Sequence, residues 1–316
     1  MTQTKTTASD ATQTRARFEA ALDRLIKQVK EDQHILAAVL CGSLSHDEVW
    51  DKSDIDLCLI CTDDRKTKGY DVALVEDNIN IHTTITPRTD FKKLVEGAQR
   101  NSFRHSVFAK SKLLFTKDPT LEGIYSEIQK IGARDTNVQL LRSGSGVVGN
   151  LYKAKKWFQL RGDLELTSLW LLYAANPLAQ IEAGLAGEII GREVIQQGLR
   201  LNPDLFQIVY VDLLNKKKTK MCVTLALQTV ETYLERKAGR VFKLVFDYLE
   251  AEGDVRSTTD IEHFFTRNYD VGATMACEYL SDIGMIDKTS VPARLTTQSQ
   301  LEVDELAFFY DGDDLG

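Results

Sequence analysis

The chain lacks any run approaching the roughly 20 uninterrupted apolar residues of a membrane-spanning helix, and that excludes a helical span anywhere in its 316 residues. No apolar stretch follows the lone lysine of "MTQTKTTASDATQT", so no secretory leader is expected and a cytoplasmic location is. The polar, Thr-rich residues 1–14 read as a flexible tail. Prolines number only five, and beyond that tail there is no repeat or low-complexity tract, as in an ordinary globular protein. The five cysteines, Cys41, Cys58, Cys61, Cys222 and Cys277, are odd in number and set among apolar neighbours, which excludes a disulfide framework in favour of reduced, buried thiols. Cys58-x-x-Cys61 lies in an extended segment, where residues three apart face opposite ways, so the pair is not expected to share an ion.

Positive charge is scarce at one end. Residues 254–316 hold 4 basic and 13 acidic side chains, a net of −9, which leaves the first 253 residues at +2 of the chain's −7. A segment so acidic has no basic face to neutralise phosphates, so it is not expected to bind nucleic acid.

What is present divides by period. Phe18, Leu22, Leu25, Ile26 and Val29 form one apolar stripe on a helix from about 15 to 30, which needs a sheet to cover it. "ILAAVLC" (35–41), "DIDLCLIC" (54–61) and "DVALVE" (71–76) read as strands, and Glu76-Asp77-Asn78 as a tight turn. "INIHTTIT" (79–86) alternates, with Ile79, Ile81 and Ile85 on one face and Asn80, His82, Thr84 and Thr86 on the other. A helix capped near Thr89-Asp90 and a strand at 112–116 complete this part. Long helical periods follow at 135–161, 165–185, 187–200, 204–214 and 219–237. From 240 onward, three helices and a run at 285–300 suited to a hairpin resemble a winged-helix module. Its third helix, "DVGATMACEYLSD", has no Lys or Arg, so packing or homodimer formation is expected of it rather than DNA reading. The expected divisions are a tail (1–14), an α/β domain (15–120), a helical domain (121–238) and an acidic winged-helix-like module (239–316).

The chemistry is concentrated in "CGSLSHDEVWDKSDIDLCLI" (41–60). Asp54 and Asp56 stand two apart on a strand, so both carboxylates share one face while Ile55 and Leu57 turn into the core. Like charges held that close repel unless a cation joins them, and Mg²⁺ takes such carboxylates together with phosphate oxygens and water. Gly42 permits close backbone approach to a phosphate, and Ser43 offers a hydroxyl and neighbouring amides.

"GSLSHDEVWDKSDIDL" resembles the Gly-Ser, ten-residue gap and Asp-x-Asp signature of the DNA polymerase beta-like nucleotidyltransferase superfamily, including the Ser53 ahead of the first aspartate. The order of elements extends the resemblance to about residue 118, and the helical part is similar in layout to kanamycin and lincosamide nucleotidyltransferases. The resemblance implies an α/β (α+β) nucleotidyltransferase domain with a small mixed sheet, followed by the all-α domain and the C-terminal module. It implies transfer of a nucleoside monophosphate from an NTP, ATP foremost, to a hydroxyl of a small molecule such as an antibiotic, with Mg²⁺ held by Asp54 and Asp56. A protein or RNA acceptor, or a catalytically weak nucleotide-sensing regulator, are the alternatives.

The superfamily usually places a third carboxylate on a neighbouring strand, and here that strand is "INIHTTIT", which offers Asn80 and His82. Asn80 can lend a carbonyl oxygen but no base. His82 suits either a metal ligand or a base, and equally a strand histidine bonded to a neighbour. Glu76 is an outlying candidate. The helical domain is expected to bring further groups: Lys153, Lys156 and Arg161 beside Tyr152 and Trp157 for a triphosphate and a ring, although a solvated basic helix face fits the same pattern. Glu182, amid "AQIEAGLAG", suits a base facing a cleft or an exposed helix position. Arg100, Arg104, His105, Lys110 and Lys112 offer cations ahead of the last strand, and Lys216-Lys217-Lys218 reads as a solvated loop.

Overall fold

Ile35–Cys41 (β1) is apolar at every position because both faces of the strand are covered. In the computed structural model, which describes residues 8–46, 52–64, 68–98, 111–128, 133–191, 193–296, 298 and 300–312, β1 lies inside a five-stranded sheet. Its companions are β2 (Ile55–Cys61), β3 (Tyr70–Glu76), β4 (Ile79–Pro87) and β5 (Lys112–Thr116), in the order β3-β4-β2-β1-β5. β2 and β4 run parallel and the other pairs antiparallel, so the sheet is mixed. Ala38, Leu40, Ile55, Leu57, Ile79 and Ile81 meet Phe18, Leu22 and Ile26 of helix α1 (Ala8–Glu31) on one face. Val39, Cys41, Cys58 and Ile60 meet Phe91 of α2 (Arg88–Ala98) and Leu121 of α3 (Pro119–Ile128) on the other. The alternation read in 79–86 thus becomes two different faces, one packed under α1 and one carrying Asn80 and His82.

The chain divides into two compact units, residues 1–131 and 132–316. The second unit is mostly helical: α4 (Ala133–Arg161), α5 (Leu164–Leu185), α6 (Val194–Leu201), a helical stretch at 203–215, α7 (Lys220–Val241) and α8 (Lys243–Glu252). The strand β6 (Arg256–Ser257) follows, then α9 (Thr258–Tyr269), α10 (Thr274–Asp282) and the hairpin β7 (Asp287–Arg294) and β8 (Glu302–Phe309), with β8 central in a three-stranded sheet. One apolar core runs from Val138 to Tyr310, and α7 continues through the expected boundary at 238/239.

Four expectations about elements are corrected. Helix α1 starts at Ala8, inside the segment read as a tail, where residues 8–14 add no large apolar side chain to the stripe that marks the helix. The helix expected over 187–200 is reduced to Val194–Leu201, since Gly187 has φ +70° and terminates the preceding helix. Within 203–215 the turn widens to a π-type stretch at Gln207–Asp212, a change that spacing alone does not encode. The hairpin expected within 285–300 spans a longer segment, because the strand pairing with β7 is Glu302–Phe309. No helix among the described residues is long and apolar enough to cross a membrane.

Candidate active site

The site forms where β1 ends and β2 begins. Cys41 pairs with Asp56 across these strands, and His82 pairs with Asp56 across the parallel β2–β4 ladder. Because paired residues in a sheet share a face, this register places His82 beside Asp56 although 26 positions separate them in the chain. Ile55 and Leu57 alternate to the opposite face, where both are fully buried. One ligand atom from each of Asp54, Asp56 and His82 lies within 4.8 Å of the others. His82 Nδ1 stands 2.9 Å from Asp54 Oδ2, which fixes the ring against the first aspartate.

Gly42 completes the floor. It has φ +69°, and a Cβ there would overlap Asp56 Oδ2 and stand 2.9 Å from its Cγ, so only glycine fits. The Ser45 hydroxyl donates to the Gly42 carbonyl at 2.7 Å and closes the turn that contains Ser43. Ser53 directly precedes Asp54 and is half-buried. Cys41 and Cys58 lie beneath the site but offer no thiolate. Burial, then Cys58 and Asp56, push the Cys41 thiol far up, and burial chiefly pushes Cys58 to about 11. Both are protonated at neutral pH in the metal-free protein.

The remaining candidates divide between the two units and residues outside the described ones. Asn80 shares the exposed face of β4 one step from His82. Glu76 pairs with Ile79 on the α1 side of the sheet and bonds Arg24 at 3.4 Å, so it is turned away from the aspartates. Lys112 is exposed on β5, while Arg100, Arg104, His105 and Lys110 lie outside the described residues. Lys153, Lys156 and Glu182 belong to the second unit and have neighbours there. Lys153 Nζ lies 4.3 Å from the centre of the Trp170 ring, and Lys156 Nζ 6.0 Å from that of Trp157. The Tyr152 hydroxyl donates to Asp282 at 2.6 Å. Glu182 accepts the Tyr233 hydroxyl at 2.6 Å, a partner that sequence reading missed because 51 positions separate the two and only helix packing joins them.

Residues 23–120 match the family described as polymerase beta, nucleotidyltransferase. This segment is similar to DNA polymerase beta-type nucleotidyltransferase domains. Its Gly-Ser turn and Asp-x-Asp strand are the ones that build the cluster above. A nucleotidyltransferase-like protein from Exiguobacterium sibiricum is similar in structure, with a TM-score of 0.64 over 92% of this chain and 98% of that one, at 14% identity. That likeness concerns the fold. No curated protein matches the chain.

Two carboxylates and one imidazole at this spacing are a donor set that fits a divalent cation. Hard oxygen donors dominate it, and the nitrogen broadens the range of ions it accepts.

Proposed function

We propose that the chain transfers a nucleoside monophosphate from an NTP, ATP in the first instance, to a hydroxyl of a small molecule, with Mg²⁺ as the physiological ion. The observation that carries this reading is the convergence of Asp54, Asp56 and His82 beside the Gly42 turn, inside the segment that matches the family. In the transfer, the acceptor oxygen bonds to the α-phosphorus, the bond to the α–β bridging oxygen breaks, pyrophosphate leaves with that electron pair, and the hydroxyl proton passes to solvent. Asp54, Asp56 and His82 are the residues that would hold the ion. When bound, a divalent ion there supplies charge neutralisation to the phosphate oxygens. Gly42 lets the backbone approach a phosphate, and Ser43 and Ser53 offer hydroxyls to the same group. His82 takes the position of the superfamily's third carboxylate.

In the second unit, the order α8, β6, α9, α10 and β7–β8 hairpin supports the winged-helix reading of residues 239–316. We assign that module to packing or to pairing of two copies. An antibiotic acceptor rests on layout alone and is the first class to screen.

The test is incubation of the protein with α-labelled NTPs, Mg²⁺ and a panel of hydroxylated small molecules, beside an Asp54→Asn/Asp56→Asn control. Label on a small acceptor, absent from the control, supports the proposal. Label on protein or tRNA alone moves the acceptor class to macromolecules. Metal-dependent nucleotide binding without turnover on any acceptor replaces the enzyme with a nucleotide sensor.

A further inference from the structure

The second unit contains a cleft of about 560 Å³, within the range of small-molecule sites. One wall is a stripe of α7, where Leu225, Thr229, Thr232, Tyr233 and Arg236 recur at helical spacing and share a face. The other is built from the helical stretch at 203–215, with Asp204, Leu205 and Ile208, and from Glu182 near the end of α5.

Glu182 is the informative group. Its carboxylate is half-buried and its bonding partner among the described residues is a neutral donor, the Tyr233 hydroxyl. No described cation reaches it. The Tyr233 hydroxyl occupies one Glu182 oxygen, and an ammonium in the cleft would give the carboxylate a charge-assisted partner. Burial and the Glu182 carboxylate drive the Tyr233 hydroxyl far upward, so it stays a donor and holds one carboxylate oxygen while the second remains for a ligand.

The opposite charge is available one turn along. Arg236 and Lys237 line the same cleft and make no ion pair among the described residues. Lys155, Arg200, Lys216 and Lys243 of the same unit are each paired with a carboxylate. Arg236 and Lys237 follow Tyr233, the bonding partner of Glu182, by three and four residues, which is about one helical turn or roughly 5.4 Å along the axis. Leu205 and Ile208 with the Tyr233 ring supply apolar surface between them.

We propose that this cleft binds a small zwitterion with an apolar body, its ammonium on Glu182 and its anionic group on Arg236 or Lys237. The volume of the cleft admits a molecule of about two amino-acid residues. This site stands on the second unit alone and does not depend on the transfer reaction proposed above.

The test uses the full chain and calorimetric titration with leucyl-leucine, its N-acetyl derivative, which lacks the cation, and its C-terminal amide, which lacks the anion. Both modified probes are expected to bind about tenfold or more weakly than the dipeptide, a difference of roughly 1.4 kcal/mol. Glu182→Gln, which keeps the Tyr233 bond, is expected to abolish the preference for the free ammonium. Arg236→Ala combined with Lys237→Ala is expected to abolish the preference for the carboxylate. Far-ultraviolet circular dichroism of each variant confirms that it is folded. Absence of binding by the dipeptide at about 10 mM overturns the proposal, as does equal binding of all three probes or indifference of the folded variants to the missing groups.

Discussion

Gly42 and Asp56 occupy one volume between them: the aspartate fills the space a side chain at 42 would need, and the backbone there has φ +69°. Gly42→Ala therefore meets a conformational penalty of about 1–3 kcal/mol and displaces the carboxylate as well. A displacement of about 1 Å at reacting groups can lower rates about 100-fold, and that is the loss of transfer expected for Gly42→Ala in a labelled-nucleotide assay, with the fold retained by circular dichroism. Near-normal transfer would mean that Asp56 need not hold its present place. His82 makes a separate prediction about ion choice. Imidazole favours the later first-row ions, so His82→Ala is expected to weaken Mn²⁺ binding by about 10-fold or more, while His82→Asp raises affinity for Mg²⁺ relative to Mn²⁺. Electron paramagnetic resonance of free Mn²⁺, with Mg²⁺ as competitor, reads both without an activity assay. An unchanged preference in both variants would remove His82 from the ligand set.

At the scale of elements, the β3–β4 hairpin turns on Asp77 and Asn78, both in left-handed backbone with φ of 50° and 58°. A β-branched residue tolerates this poorly, so Asn78→Val is expected to cost about 1–2 kcal/mol and to lower the unfolding midpoint of the first unit. Asp118 ties α2 to the start of α3: Arg88 Nε donates to it at 2.7 Å, and Thr120 bonds it through both hydroxyl and amide. Bonds from Thr120, then from Arg88, hold its carboxyl down at about 2. A depressed folded value gives stability that is present above the ordinary carboxylate pKa near 4 and lost as pH falls through about 2. Asp118→Asn should thus destabilise at pH 7 and approach the parent only as pH falls below about 2, as followed by denaturant titration across pH. The same elements show what the sequence reveals. β1 and β4 were legible because burial on two faces or one writes directly into the residue pattern. The face of β4 that carries His82 was legible because the strand alternates. The contact between His82 and Asp54 and the β2–β4 register were not, since ladder pairing is non-local, and the Glu182–Tyr233 bond was hidden for the same reason. The start of α1 was missed because its added turns carry no apolar signal.

Across the molecule, charge is the property that separates the acceptor classes. The last 63 residues carry a net of −9, and α10, the helix that would enter a DNA groove under the winged-helix reading proposed above, has no Lys or Arg and buries Ala276, Cys277, Tyr279 and Leu280 in the core of its own unit. Association with nucleic acid is dominated by cations that displace counterions from phosphates, and its affinity falls steeply with salt. The full chain is therefore expected to bind tRNA and duplex DNA no more tightly than about 100 µM at about 150 mM salt. Fluorescence anisotropy with labelled tRNA and duplex, titrated across salt, measures this directly. A micromolar complex that weakens in proportion to the logarithm of salt would show a phosphate-binding face within the chain and would favour an RNA acceptor over a small hydroxylated one. Weak, salt-insensitive binding alongside label transfer to a small acceptor is the outcome that the distribution of charge supports.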